Sequence, residues 1–81
     1  MIREKLKVNL SIDARVVALF VQTASKFNSS IRVEFDNKSV NAKSIMGIIA
    51  LGDLDGKEIT IIADGYDEQD AIKEIVELLQ K

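Results

Sequence analysis

The stretch Val40-Asn41-Ala42-Lys43-Ser44-Ile45-Met46-Gly47, continuing as Ile48-Ile49-Ala50-Leu51-Gly52, decides how this chain folds. Up to Ala42 the residues alternate as in a strand, with Val40 and Ala42 on one side and Ser39 and Asn41 on the other. At Ser44 the pattern changes to an unbroken apolar run, Ile45 to Leu51, closed by Gly52. A hydroxyl residue before an apolar run and a glycine after it mark a short helix with Ser44 as its N-cap. The first N–H groups of a helix lack internal partners and sit at the positive end of its dipole. A phosphate added to Ser44 would meet donors there, so Ser44 is a candidate phosphorylation site. On the plainest reading it is a cap worth about 1 kcal/mol, and the two roles are compatible. A seven-residue apolar run cannot hide every side chain against a single sheet layer. Ile45, Met46 and Ile49 are therefore candidates for an exposed docking patch beside a switchable charge, although inward packing would also suit them.

Upstream of this stretch, Leu6, Val8, Leu10 and Ile12 alternate with Lys5, Lys7, Asn9 and Ser11, which predicts a first strand over Leu6–Ile12. From Asp13 the spacing becomes helical: Val17, Phe20, Val21, Ala24 and Phe27 share one face of a helix of about three turns. Asn28-Ser29-Ser30 ends it. A hairpin follows, with Ile31, Val33 and Phe35 inward, a turn at Asp36-Asn37-Lys38, and a short third strand through Val40 and Ala42.

Downstream, Gly52-Asp53-Leu54-Asp55-Gly56 reads as a loop into Glu58-Ile59-Thr60-Ile61-Ile62-Ala63, the most β-branched segment and the expected central strand. Asp67 and Asp70 form a loose capping-box arrangement for a last helix whose face carries Ile72, Ile75, Val76 and Leu79. The order is βαββαβα. Amphipathic helices of this kind cover one face of an alternating sheet, giving an α+β fold with a four-stranded antiparallel sheet and three helices on one face.

Composition bounds the function. The chain has 81 residues, enough for one domain, 1–81, and no proline, repeat or low-complexity tract suggests a linker. Cysteine is absent, so disulfides, thiolate catalysis and Cys-based zinc sites are excluded. Histidine is absent as well, which removes Ser-His and Cys-His hydrolytic pairs. The acids are spread along solvated faces rather than paired, so neither enzymatic activity nor a metal or cofactor is expected. A net charge of −2 without a basic stripe, and only four aromatic residues, argue against direct nucleic-acid binding. No stretch approaches the length of a membrane span, so a soluble cytoplasmic protein is the default expectation.

Two motif matches fail on spacing or residue type. In Gly52-Asp53-Leu54-Asp55-Gly56-Lys57-Glu58 only three residues separate the glycines, and Glu58 stands where a P-loop needs a magnesium-binding hydroxyl. Asp53 and Asp55 before Gly56 suggest part of a calcium loop, but Leu51 occupies the first ligand position and no acid closes it. The run Asp67-Glu68-Gln69-Asp70 is better read as helix-start charge favoured by the dipole.

Over essentially its whole length the chain resembles the HPr-like phosphocarrier family of the bacterial sugar phosphotransferase system, and within it most closely the Crh branch. The residues that carry the resemblance are Val21-Gln22-Thr23-Ala24-Ser25-Lys26-Phe27, Val40 to Gly47, and Glu58-Ile59-Thr60-Ile61 followed by Asp67-Glu68. The resemblance implies an open-faced β-sandwich. It also implies that Ser44 matches the serine modified by the ATP-dependent HPr kinase/phosphorylase, and that the modified protein acts as corepressor for a catabolite-control transcriptional repressor. Arg15, Ser44, Ile45, Met46 and Ile49 would make that contact.

Where the family's carriers have His-Ala-Arg-Pro, this chain reads Asp13-Ala14-Arg15-Val16. The phosphoryl-accepting histidine is replaced by Asp13, Arg15 matches the family's arginine, and the preceding loop is about two residues short and lacks its usual glycine. Crh carries glutamine at the histidine position, so Asp13 departs from both. Asp13 is most simply an N-cap, and a fixed charge there would mimic a phosphohistidine electrostatically with about one charge in place of roughly 1.5–2. Phosphoryl relay through Asp13 is the rival function, and a diverged domain with neither activity is the plainest alternative. Crh exchanges its first strand between chains, and the short connection here invites a strand-swapped homodimer.

Overall fold

The structure is a computed structural model and describes residues 1–80. Its elements follow the expected order: β1 (Ile2–Lys7), α1 (Ala14–Ser25), β2 (Ser30–Phe35), β3 (Lys38–Asn41), α2 (Ile45–Ala50), β4 (Glu58–Asp64) and α3 (Glu68–Leu79). The strands form one antiparallel sheet in the order β1-β4-β2-β3, which makes β4 an inner strand as its β-branched run requires. Alternate residues of the strands, Leu6, Ile31, Val33, Ile59, Ile61 and Ala63, point to the helical side and are buried. They meet Val17, Phe20 and Ala24 of α1, Ile48 of α2, and Ala71, Ile72, Ile75 and Leu79 of α3. The opposite face carries Arg3, Lys5, Arg32, Glu34 and Glu58, with the Arg3–Glu34 and Lys5–Glu58 ion pairs lying across it. Three helices on one face and a polar open face on the other make an open-faced β-sandwich.

β1 departs from the sequence-based expectation. It runs over Ile2–Lys7 rather than Leu6–Ile12. Val8 still exchanges bonds with the loop before β4, its N–H reaching the Lys57 carbonyl and its own carbonyl accepting from Gly56, both at 2.9 Å. The Asn9 N–H then turns to the Leu79 carbonyl at 3.0 Å, and the chain leaves the sheet to cross the end of α3. Leu10 and Ile12 keep their alternation and are half-buried, because any extended segment lying on a core shows period two whether or not it has a ladder partner.

The β2–β3 hairpin closes through Asp36 and Asn37, both at positive φ (52° and 67°), the type I′ geometry that matches strand twist. The start of α3 differs from the capping box expected of Asp67 and Asp70. The Asp67 side chain makes no cap bond to its own helix. Instead Glu68 reaches back to the Gly65 N–H at 3.1 Å, and Asp67 turns to the loop between α1 and β2.

Candidate functional site

Ser44 begins α2 with extended backbone (φ −107°, ψ 118°), and its hydroxyl oxygen accepts the Gly47 N–H at 3.1 Å. The turn before it is held by Asn41, whose side-chain oxygen accepts from the Lys43 N–H at 2.9 Å and whose carbonyl accepts from the Ser44 N–H at 3.0 Å. Gly47 lets the helix lie close on β3, since a Cβ there would stand 3.2 Å from that of Val40. The six-residue helix then divides its apolar side chains. Ile48, and Leu51 at the C-cap, enter the core, while Ile45, Met46 and Ile49 remain 51%, 74% and 55% exposed. The structure thus resolves the choice between inward packing and exposure in favour of an exposed patch directly after the serine.

Asp13 caps α1. Its carboxylate accepts the Val16 N–H at 3.0 Å from extended backbone (φ −93°, ψ −178°). Arg15 lies exposed in the first turn and, among the described residues, forms no ion pair. Between the start of α1 and α2 is an open depression of about 240 Å³ lined by Ile12, Asp13, Ala14, Val17, Ile48, Ile49 and Gly52. It joins Asp13 to Ile49. Arg15, Ser44, Ile45 and Met46 lie outside its lining, so the sequence-derived site is a surface of two adjoining parts rather than one cleft. Ile12, Val17 and Ile48 were not foreseen as part of it, because their spacing marks them as core residues.

A second feature escaped the sequence reading altogether. The Asp67 carboxylate receives the Asn28 N–H at 2.8 Å, the Ser29 N–H at 3.0 Å and the Ser29 hydroxyl. Ser29 is the buried polar residue of the core, and these bonds satisfy it. The Ser29 hydroxyl is the main cause that holds the Asp67 carboxyl below its ordinary value, with the Asn28 and Ser29 N–H groups acting in the same direction. The Glu68 carboxyl is lowered first by the Gly65 N–H. The Lys43 ammonium donates to the Phe27 carbonyl at 2.8 Å. Among the described residues no group of three or more acidic side chains is arranged to hold a metal ion, and no helix is long and apolar enough to cross a membrane.

Comparison with known proteins agrees with this geometry. Residues 3–81 match the PTS-HPr family, described as the PTS HPr component phosphorylation site. The HPr-like protein Crh of Bacillus subtilis (strain 168) is 45% identical over 83 aligned positions, covering 100% of this chain and 98% of Crh. The crystal structure of the phosphocarrier protein HPr from Bacillus anthracis superposes with a TM-score of 0.93 at 41% identity, covering 98% of this chain and 96% of that one. A crystal structure of B. subtilis Crh, described as a swapped dimer, gives a TM-score of 0.79 at 44% identity, covering 98% of this chain and 93% of that one. A capped serine before an exposed apolar turn, on an open-faced sandwich that matches these proteins along nearly its whole length, makes this chain a member of the HPr family with close similarity to Crh.

Proposed function

We propose that this protein is a cytoplasmic regulatory phosphoprotein of carbon catabolite repression, modified on Ser44 by an HPr kinase/phosphorylase and then bound by a catabolite-control transcriptional repressor. In the modification, the Ser44 hydroxyl oxygen bonds to the γ-phosphorus of ATP, its proton is lost and ADP leaves. The observation that carries the reading is the placement of Ser44 immediately before Ile45, Met46 and Ile49, all half or more exposed. A phosphate there supplies a charge for a cationic group on the partner, and the apolar side chains supply buried area, so charge gives the switch and burial the specificity. Asp13 supports the same reading from the other side, since its carboxylate is engaged as a helix cap where the family's carriers hold a nucleophilic histidine. The protein acts by being bound, not by catalysis.

The test is calorimetric titration of the purified repressor with phosphorylated and unmodified protein at one salt concentration. Binding should require the phosphate. Ser44→Ala should abolish kinase-dependent binding without unfolding the domain, and Met46→Asp should weaken binding while Ser44 is still phosphorylated. Equal affinities of the modified and unmodified forms would sink the proposal.

A further inference from the structure

The peptide group that joins Phe27 to Asn28 is gripped at both ends by opposite charges. Its carbonyl accepts from the Lys43 ammonium and its N–H donates to the Asp67 carboxylate, each at 2.8 Å. The second Asp67 oxygen takes the backbone and side-chain donors of Ser29. Lys43 is half-buried, and Gly65 brings the start of α3 so near that an added Cβ would meet the Ser29 Cα at 2.7 Å. A chain of this kind, ammonium to carbonyl and amide to carboxylate, is cooperative. Polarising the carbonyl makes the N–H of the same peptide a stronger donor. It links the turn before α2, the end of α1 and the start of α3. Its cationic end is the residue immediately before Ser44.

We infer that Lys43 couples the phosphorylation state of Ser44 to the Phe27–Asn28 peptide and, through it, to Asp67 at the start of α3. The inference deepens the regulatory reading of Ser44 and rests on it. A phosphoserine carries roughly −1.5 to −2 charge and three acceptor oxygens. Placed next in the chain to an ammonium on a flexible four-carbon stem, it outcompetes a neutral carbonyl, because a bond between two ionised groups is the stronger one. Lys43 then leaves Phe27 for the phosphate. The peptide loses its polarisation and the Asn28 N–H binds Asp67 less tightly. The modification is thus felt at Asn28 and Ser29, far from Ser44 in sequence.

The experiment uses phosphoserine installed at position 44 during translation, so that no kinase is needed. Amide proton shifts and hydrogen exchange at Asn28 and Ser29 are compared with and without the phosphate, in the protein with Lys43 and in Lys43→Met. With Lys43 present, the phosphate should move the Asn28 proton upfield and speed its exchange measurably, though by less than about five-fold, the factor for losing outright one hydrogen bond of ordinary net strength. Lys43→Met should show that change already without phosphate, and phosphoserine should add nothing further. Lys43→Arg, which keeps a charged donor, should retain the response. An unmoved Asn28 amide in the phosphorylated Lys43 protein overturns the inference, as does an equal response in Lys43→Met. Should purified kinase fail to modify Ser44 while encoded phosphoserine still moves Asn28, the regulatory reading falls and the coupling stands.

Discussion

The Asp13 carboxylate accepts the Val16 N–H at 3.0 Å, so the residue that the sequence resemblance matches to the family's histidine is engaged in holding the start of α1. An oxygen so engaged, with no cluster of acids among the described residues to bind magnesium, is poorly set up to accept a phosphoryl group. Incubation with phosphoenolpyruvate and the general phosphotransferase enzyme is expected to leave the intact mass unchanged. A hydroxylamine-labile phosphate on Asp13 would instead promote the carrier function. Asp13→Ala should cost about 1 kcal/mol of stability through the lost cap, read from urea unfolding.

Of the four glycines, Gly65 makes the tightest approach to another segment, at Ser29. A Cβ at position 65 would lie 2.7 Å from the Ser29 Cα and 2.5 Å from its hydroxyl oxygen, and backbone cannot step aside as a flexible side chain does. Gly65→Ala should therefore cost roughly 1–3 kcal/mol by overpacking and break the Asp67–Ser29 contacts. Gly47→Ala is the internal comparison. Its Cβ would stand 3.2 Å from the Val40 Cβ, a smaller conflict, and alanine gains about 0.5–1 kcal/mol over glycine within a helix. Unfolding curves showing position 65 no more sensitive than position 47 would contradict the packing argument.

Stability should fall on the acid side through the start of α3. The folded Asp67 carboxyl is held below its ordinary 3.8, chiefly by the Ser29 hydroxyl, so the folded state binds its proton less readily than the unfolded chain. Its contribution is fully present above that ordinary value and is lost as pH drops through the lower folded one. Glu68 acts in the same sense from its ordinary 4.5, through the Gly65 N–H. In Asp67→Asn the acid-side loss should be shallower, and the gap between variant and parent should close as pH falls below about 4. A gap that stays constant from neutral pH to pH 3 would show that ionised Asp67 contributes nothing.

Strand exchange is expected between two copies. Past Val8 the connection from β1 to α1 lies off the sheet and bends at Leu10, which suits a hinge. Releasing β1 breaks its six-residue pairing with β4, from Ile2–Ala63 to Lys7–Glu58, and the same pairing reforms in trans. The barrier is high and the difference in free energy small, so a slow monomer–dimer equilibrium should develop over long incubation. Sedimentation profiles that stay monomeric at millimolar protein would end this expectation.

Periodicity and caps were enough, without any tertiary information, to establish seven elements in order, the inner position of β4 and the N-cap roles of Asp13 and Ser44, and composition showed that histidine is absent. These are properties of nearest neighbours along the chain: an apolar period, a hydroxyl or carboxylate before a helix, a residue type present or absent. The end of β1 was not legible, because the alternation of Leu10 and Ile12 is the same whether an extended segment pairs with a strand or lies across a helix end. Nor was the exposure of Ile45, Met46 and Ile49 decided by sequence. The packing of α2 against β3, where Gly47 lies close to Val40, and against α1 decides which side chains enter the core. The role of Asp67 lay furthest from reach. Beside Asp70 it looks like a local cap, yet its partners Asn28 and Ser29 lie 39 and 38 residues away in the chain. A carboxylate satisfies whichever donors folding brings nearest, and that proximity is set by the packing of α3 against α1, which no local pattern encodes.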